Sequence, residues 1–211
     1  MKAKSPLSVR LLYWFATIGF YLMISIQILV IVLFVGRAAG VVPINDLQLR
    51  VQLPMKFDVE EQGAVHYGGN VHLVYLEEAS SKIYFVDTPD FVSNFGIVSM
   101  LVAITLFVVM LHKFRAILGN VRVKQVFVHA NIKHLKTLAY LLVAFWLFTV
   151  GYMYFAFYWI HDKVGFETVQ MTNNLGLNGY SWMLFTALVI WILAQIFGYG
   201  VQLKEESDLT I

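Results

Sequence analysis

Four stretches of this chain contain no Asp, Glu, Lys or Arg: Leu11 to Gly36, Phe91 to His112, Thr137 to His161 and Thr168 to Leu203. About 20 apolar residues in a helix cross roughly 30 Å of hydrocarbon, so each run is long enough to span a bilayer. The other way to hide such helices is inside a large soluble core, which needs far more polar chain to wrap them. Only 13% of the 211 residues are charged and 59% are hydrophobic, against about 25% charged in soluble domains. The sequence therefore describes an all-α integral membrane protein with four transmembrane helices, expected over roughly 11–35, 93–113, 137–160 and 181–203. The first run follows Lys2, Lys4 and Arg10 like a secretion signal, but it greatly exceeds the ~7–15 apolar residues of a signal peptide and is read as a retained anchor.

Cysteine is absent, which excludes disulfides, thiolate metal sites and iron–sulfur clusters.

Charge asymmetry sets an expected orientation, because Lys and Arg near helix ends favour the cytoplasm. Lys2, Lys4 and Arg10 precede the first helix without an acid, and Lys113, Arg115, Arg122, Lys124, Lys133 and Lys136 lie between the second and third helices, again without one. The segment between helices one and two instead holds Asp46, Asp58, Glu60, Glu61, Glu77, Glu78, Asp87 and Asp90 against Arg37, Arg50, Lys56 and Lys82. Both termini are expected inside. The expected order is a terminus with helix one (1–36), an extracytoplasmic loop (37–92), helix two (93–113), a basic cytoplasmic loop (114–136), helix three (137–160), a short outer loop (161–180), and helix four with an acidic tail (181–211).

The outer loop is expected to be a small β-rich element. Leu47, Leu49, Val51 and Leu53 alternate with Gln48, Arg50 and Gln52, the period of a half-buried strand that Pro54 ends. "HYGGNVHLVYLEE" and "KIYFVD" flank the polar "EASS" and read as a hairpin, with Gly68-Gly69-Asn70 as a bend.

Little in the sequence points to catalysis. No nucleophile elbow, phosphate loop or dinucleotide fingerprint is present, and the spans hold no ionisable group except His112 and His161 at their margins. Gln27 and Gln195 are the deepest amides, suited to helix association. His66, His72 and His161 stand among carboxylates, but without metal-ligand spacing. No catalytic residue, cofactor or metal is assigned, and His129 and His134 are taken as solvated. "GRAAG", Gly36 to Gly40, matches a helix-dimer pattern, but Arg37 at the membrane edge makes it a poor one.

Two segments point to partners. The basic loop suits the anionic lipid surface of the bilayer, each cation contributing about 1 kcal/mol, or else a docking protein. It lacks a folded element for reading nucleic acid directly. Helix four is expected to run on into "KEESDLTI", since no Gly or Pro stops it, and its acids then need solvent or cationic partners at a helix C-terminus. Leu209 and Ile211 at that polar end suit docking.

The close "GYGVQLKEESDLTI" and the loop "VFVHANIKHLKTLAYL" resemble the bacterial membrane proteins catalogued as domain of unknown function 2975. Phe127, Asn131, Leu135 and Leu138 match the loop marker; Gln125-Val126 stand where that family commonly has a proline before the Phe. The family has no established activity. Its genes often neighbour one for a small helix-turn-helix DNA-binding protein, so the resemblance implies a membrane partner for a cytoplasmic regulator. The expected docking residues are Phe127, Asn131, Leu135, Glu205, Glu206, Asp208, Leu209 and Ile211. The alternative is a small transporter or membrane-enzyme subunit with a cavity between the helices.

Overall fold

A computed structural model describes residues 6–41, 52–67, 70–84, 89–161, 163, 170–171 and 177–209. Its elements in chain order are α1 (Leu7–Ala38), β1 (Gln52–Tyr67), β2 (Asn70–Tyr84), α2 (Asp90–Arg122), α3 (His129–His161), β3 (Gln170–Met171), a 3₁₀ turn (Leu177–Tyr180) and α4 (Trp182–Leu209). All four α-helices are long and apolar enough to cross a membrane, and the chain is a multi-pass membrane protein.

Each helix runs past at least one end of its charge-free stretch. A basic segment marks where the apolar span stops, but the helix continues until the backbone is turned. In α1 the stop is "GRAAG": Gly40 sits at φ +69°, its N–H reaches Arg37 O at 3.0 Å, and Val41 N–H reaches Gly36 O at 2.9 Å. These are the paired bonds of a Schellman cap, with glycine where the left-handed residue falls. The end of α2 repeats the device with Lys124 at φ +65°, Lys124 N–H on Val121 O and Gln125 N–H on Asn120 O. The segment expected as a long basic loop, 114–136, is therefore mostly helix, with the connection confined to 123–128. α4 runs to Leu209, as the missing stop signal implied.

The chain divides into two compact units. One comprises residues 1–44, 97–148 and 180–211. Its buried positions are mostly small or aliphatic: Ala16, Ile117, Leu118, Leu138, Ala139, Met183, Ala187, Ala194 and Val201. Small residues let helices approach where lipid removes the hydrophobic drive to associate. Gln27 Nε2 on α1 donates to Thr105 Oγ1 on α2 at 2.8 Å, the interhelical bond expected of a deep amide. The hydroxyls of Thr17, Ser25, Thr105, Thr137 and Thr186 each donate to the carbonyl four residues back, which satisfies them without a partner helix.

The second unit, residues 45–96 and 149–179, holds the sheet, ordered β2-β1-β3. β1 and β2 pair antiparallel from Gln52↔Tyr84 to Tyr67↔Asn70, with an irregularity between Asp58 and Glu61. Two sequence expectations are corrected here. The chain reverses between Tyr67 and Asn70, and "EASS" lies within β2, where Ser80 and Ser81 face Lys56 and Met55. Pro54 does not end a strand but lies three residues into β1, opposite Lys82, a near-terminal place where a missing N–H is tolerated. The alternating residues Leu47 to Val51 lie outside the described residues. In the same unit Phe91 and Phe95 of α2 stack among Tyr152, Phe155 and Trp159 of α3, with ring centroids 4.5–6.4 Å apart.

Candidate docking face at the α2–α3 turn and the end of α4

The turn between α2 and α3 is built around Asn131. Its side-chain Nδ2 donates to Gln125 O at 3.0 Å and Val126 O at 2.8 Å, while its Oδ1 accepts from Asn120 Nδ2 at 2.7 Å. Two carbonyls can only accept, so the amide orientation is fixed by its partners. One side chain thus ties the last turn of α2, the connection and the first turn of α3. It is 0% exposed, and its bonds offset the cost of burying a polar group.

With the turn held, Phe127 is set against α4. Its ring lies 5.5 Å from that of Phe197, and a Cβ built on Gly200 would stand only 2.5 Å from its Cδ1. Gly200 is therefore the seat of the ring: any side chain there displaces it. Phe127 remains 45% exposed. Five residues along α4 from Gly200, Glu205 Oε1 lies 3.1 Å from His129 Nε2. Both side chains are largely exposed, 75% for His129 and 58% for Glu205, so the contact contributes at most about 1 kcal/mol. It orients the acidic end more than it stabilises it.

The structure brings the expected residues together unevenly. Phe127 and Glu205 lie on the composite face, and Glu206, Asp208 and Leu209 follow on the exposed end of α4, with Leu209 at 86% exposure. Leu135 is half-buried on α3. Asn131 is an internal staple, so it sets the shape of this surface without being part of it. Ile211 lies outside the described residues. Sequence reasoning missed Asn120, Phe197, Gly200 and His129. Of these, Gly200 carried a signal as a glycine of the quoted close "GYGVQLKEESDLTI", and His129 as a cation-forming group in a segment weighed as the counterpart of the acidic tail. His134 is half-buried rather than solvated. The side chains of His66, His72 and His161 lie outside the described residues, and among the described residues no cluster of three metal-ligating side chains occurs.

A family model described as "Protein of unknown function (DUF2975)" matches residues 56–211. No curated protein and no solved structure matches the chain.

Proposed function

The chain belongs to the DUF2975 family, and from that premise we propose that it is a non-enzymatic, regulatory protein of the bacterial inner membrane. In this reading both termini are cytoplasmic, the sheet-bearing unit is extracytoplasmic, and the α2–α3 turn with the end of α4 docks a small cytoplasmic helix-turn-helix regulator. The observation that carries the proposal is the seating of Phe127 on Gly200 beside the His129–Glu205 contact. Two segments that resemble the family's markers, some 70 residues apart in sequence, form one surface. That surface combines an exposed aromatic ring, exposed cations of the turn and an acidic, leucine-tipped helix end. Aromatic anchors ringed by polar groups are what protein interfaces favour.

The orientation rests on the bias of Lys and Arg. The partner's identity rests on the family's gene neighbourhood, and its chemistry on a surface that offers both charge signs around an apolar centre.

A pull-down from detergent-solubilised membranes tests the reading, comparing the full chain with one ending at Leu203. A small DNA-binding protein recovered with the full chain and lost on truncation supports it. Identical recoveries from both chains overturn it.

A further inference from the structure

Along α2, His112, Arg115, Gly119 and Arg122 recur at three- and four-residue steps, so they share one side of the helix. That side meets aromatic residues of α1. The Phe20 ring lies 5.7 Å from that of His112, and the Arg115 guanidinium stands 4.6 Å from the Phe20 centroid and 5.7 Å from that of Tyr21. Seven residues on, Arg122 stands 5.2 Å from the Tyr13 ring. Gly119 lies between them, where a Cβ would already touch Tyr13 at 3.6 Å.

A ring face attracts a guanidinium but leaves its five N–H donors, which point outward in the guanidinium plane, needing acceptors. Among the described residues neither arginine meets a carboxylate. Residues 1–45 and 91–161 contain no Asp or Glu, and the described acids of the same unit, Glu205, Glu206 and Asp208, lie at the end of α4 and meet neither arginine. The anion must therefore come from outside these helices. Along α2 the charge-free run ends at His112. Arg115 is three residues further, about 4.5 Å at the helical rise, within the ~5–7 Å headgroup layer of one leaflet. Arg122 stands about 15 Å beyond the run, a distance its long side chain can partly recover by bending toward the interface. Beyond the seam along α1, Leu22, Ile28 and Leu29 are exposed apolar surface.

We propose that the α1–α2 seam is a binding site for an anionic phospholipid. Arg115 holds the phosphate oxygens, Arg122 adds a second contact from above, and the acyl chains lie along the exposed face of α1. A guanidinium fork matches phosphate geometry bidentately. The uncompensated positive charge of the seam favours a lipid of net negative charge over a zwitterionic one. A soluble phosphate would forgo the apolar contacts.

The test uses the full chain in mild detergent, with lipid retention read by native mass spectrometry and thermal stability read on titration. Phosphatidylglycerol is expected to bind and raise the melting temperature, with phosphatidylcholine and inorganic phosphate at equal concentration having little effect. Arg115→Gln should weaken phosphatidylglycerol about fivefold and the Arg115→Gln/Arg122→Gln pair about thirtyfold. Lys124→Gln, which removes a charge away from the seam, should change it less than about twofold. Equal response to phosphatidylcholine overturns the proposal, and so does equal response to inorganic phosphate, which would mark a soluble-anion site. Equal weakening by Lys124→Gln would reduce the effect to general surface charge and overturn it too. The wild-type lipid comparison stands even where a variant fails to fold.

Discussion

Replacing Asn131 tests whether that residue is a staple or a contact. Its three hydrogen bonds, at 2.7, 2.8 and 3.0 Å, each contribute about 1 kcal/mol net, with stranded buried partners costing about 1–3 kcal/mol apiece. Gln125 is exposed, and Asn120 and Val126 are half-buried, so water recovers part of the loss after Asn131→Ala. A destabilisation of about 2–3 kcal/mol results. For a chain of this size that lowers the melting temperature by about 5–10 °C. Asn131→Asp keeps the shape but turns an acceptor toward two carbonyl oxygens. The side chain must then hold an unpaired buried charge or be protonated. The aspartate variant should therefore melt at least as early as the alanine variant. Thermal unfolding of both in detergent, followed by tryptophan fluorescence, measures this. Trypsin cleavage after Lys124 should accelerate in parallel as the turn loosens. Melting temperatures within about 1 °C of wild type, with recovery of a partner abolished, would refute the staple and make Asn131 a contact residue.

Gly200→Ala should displace Phe127, because the new Cβ stands 2.5 Å from its ring. Overpacking costs about 1–3 kcal/mol and the gain in helix propensity returns about 1 kcal/mol, so the melting temperature should fall by about 0–8 °C while cross-linking between positions 127 and 197 falls. Lys124→Gly should raise the melting temperature by about 2–4 °C, since relieving a left-handed non-glycine residue contributes about 1 kcal/mol. Gln27→Leu removes the bond to Thr105 and should cost about 0.6–1.7 kcal/mol, measured by unfolding in detergent. The chain has no native cysteine, so single replacements Ser207→Cys and Val71→Cys can be labelled with an impermeant maleimide in intact cells. Only the cysteine at 71 should react, and reaction at 207 instead would reverse the orientation.

The four helices were legible because a bilayer tolerates few charges, and the charge-free runs show that constraint directly. Their true ends were not, since a helix stops where its backbone turns. Nothing about Lys124 as a residue type announces a left-handed conformation. The hairpin went wrong for a related reason. "EASS" has turn composition, but once β1 extends back to Gln52 those residues have cross-strand partners in Met55 to Asp58. Pairing outweighs local preference in strands.

The proposed docking face was half legible, and the missing half explains how its parts depend on one another. Residue type identified Phe127 and the acidic end of α4 as surface groups, and motif resemblance joined them. What the sequence left out is the chain of support beneath. Asn120 and Asn131 hold the turn, the turn aims Phe127, and the bare backbone at Gly200 receives its ring. If the proposed docking holds, a buried asparagine contributes to such a face only through geometry, whereas Leu209 contributes only by touching the partner. Substitutions at Asn131 and Gly200 should therefore alter docking together with the structure of the turn. Substitutions at Glu206, Asp208 and Leu209 should alter docking while the turn stays intact. A docking loss at Leu209 accompanied by the same proteolytic loosening as at Asn131 would show that this division is wrong, and that the end of α4 itself helps hold the turn.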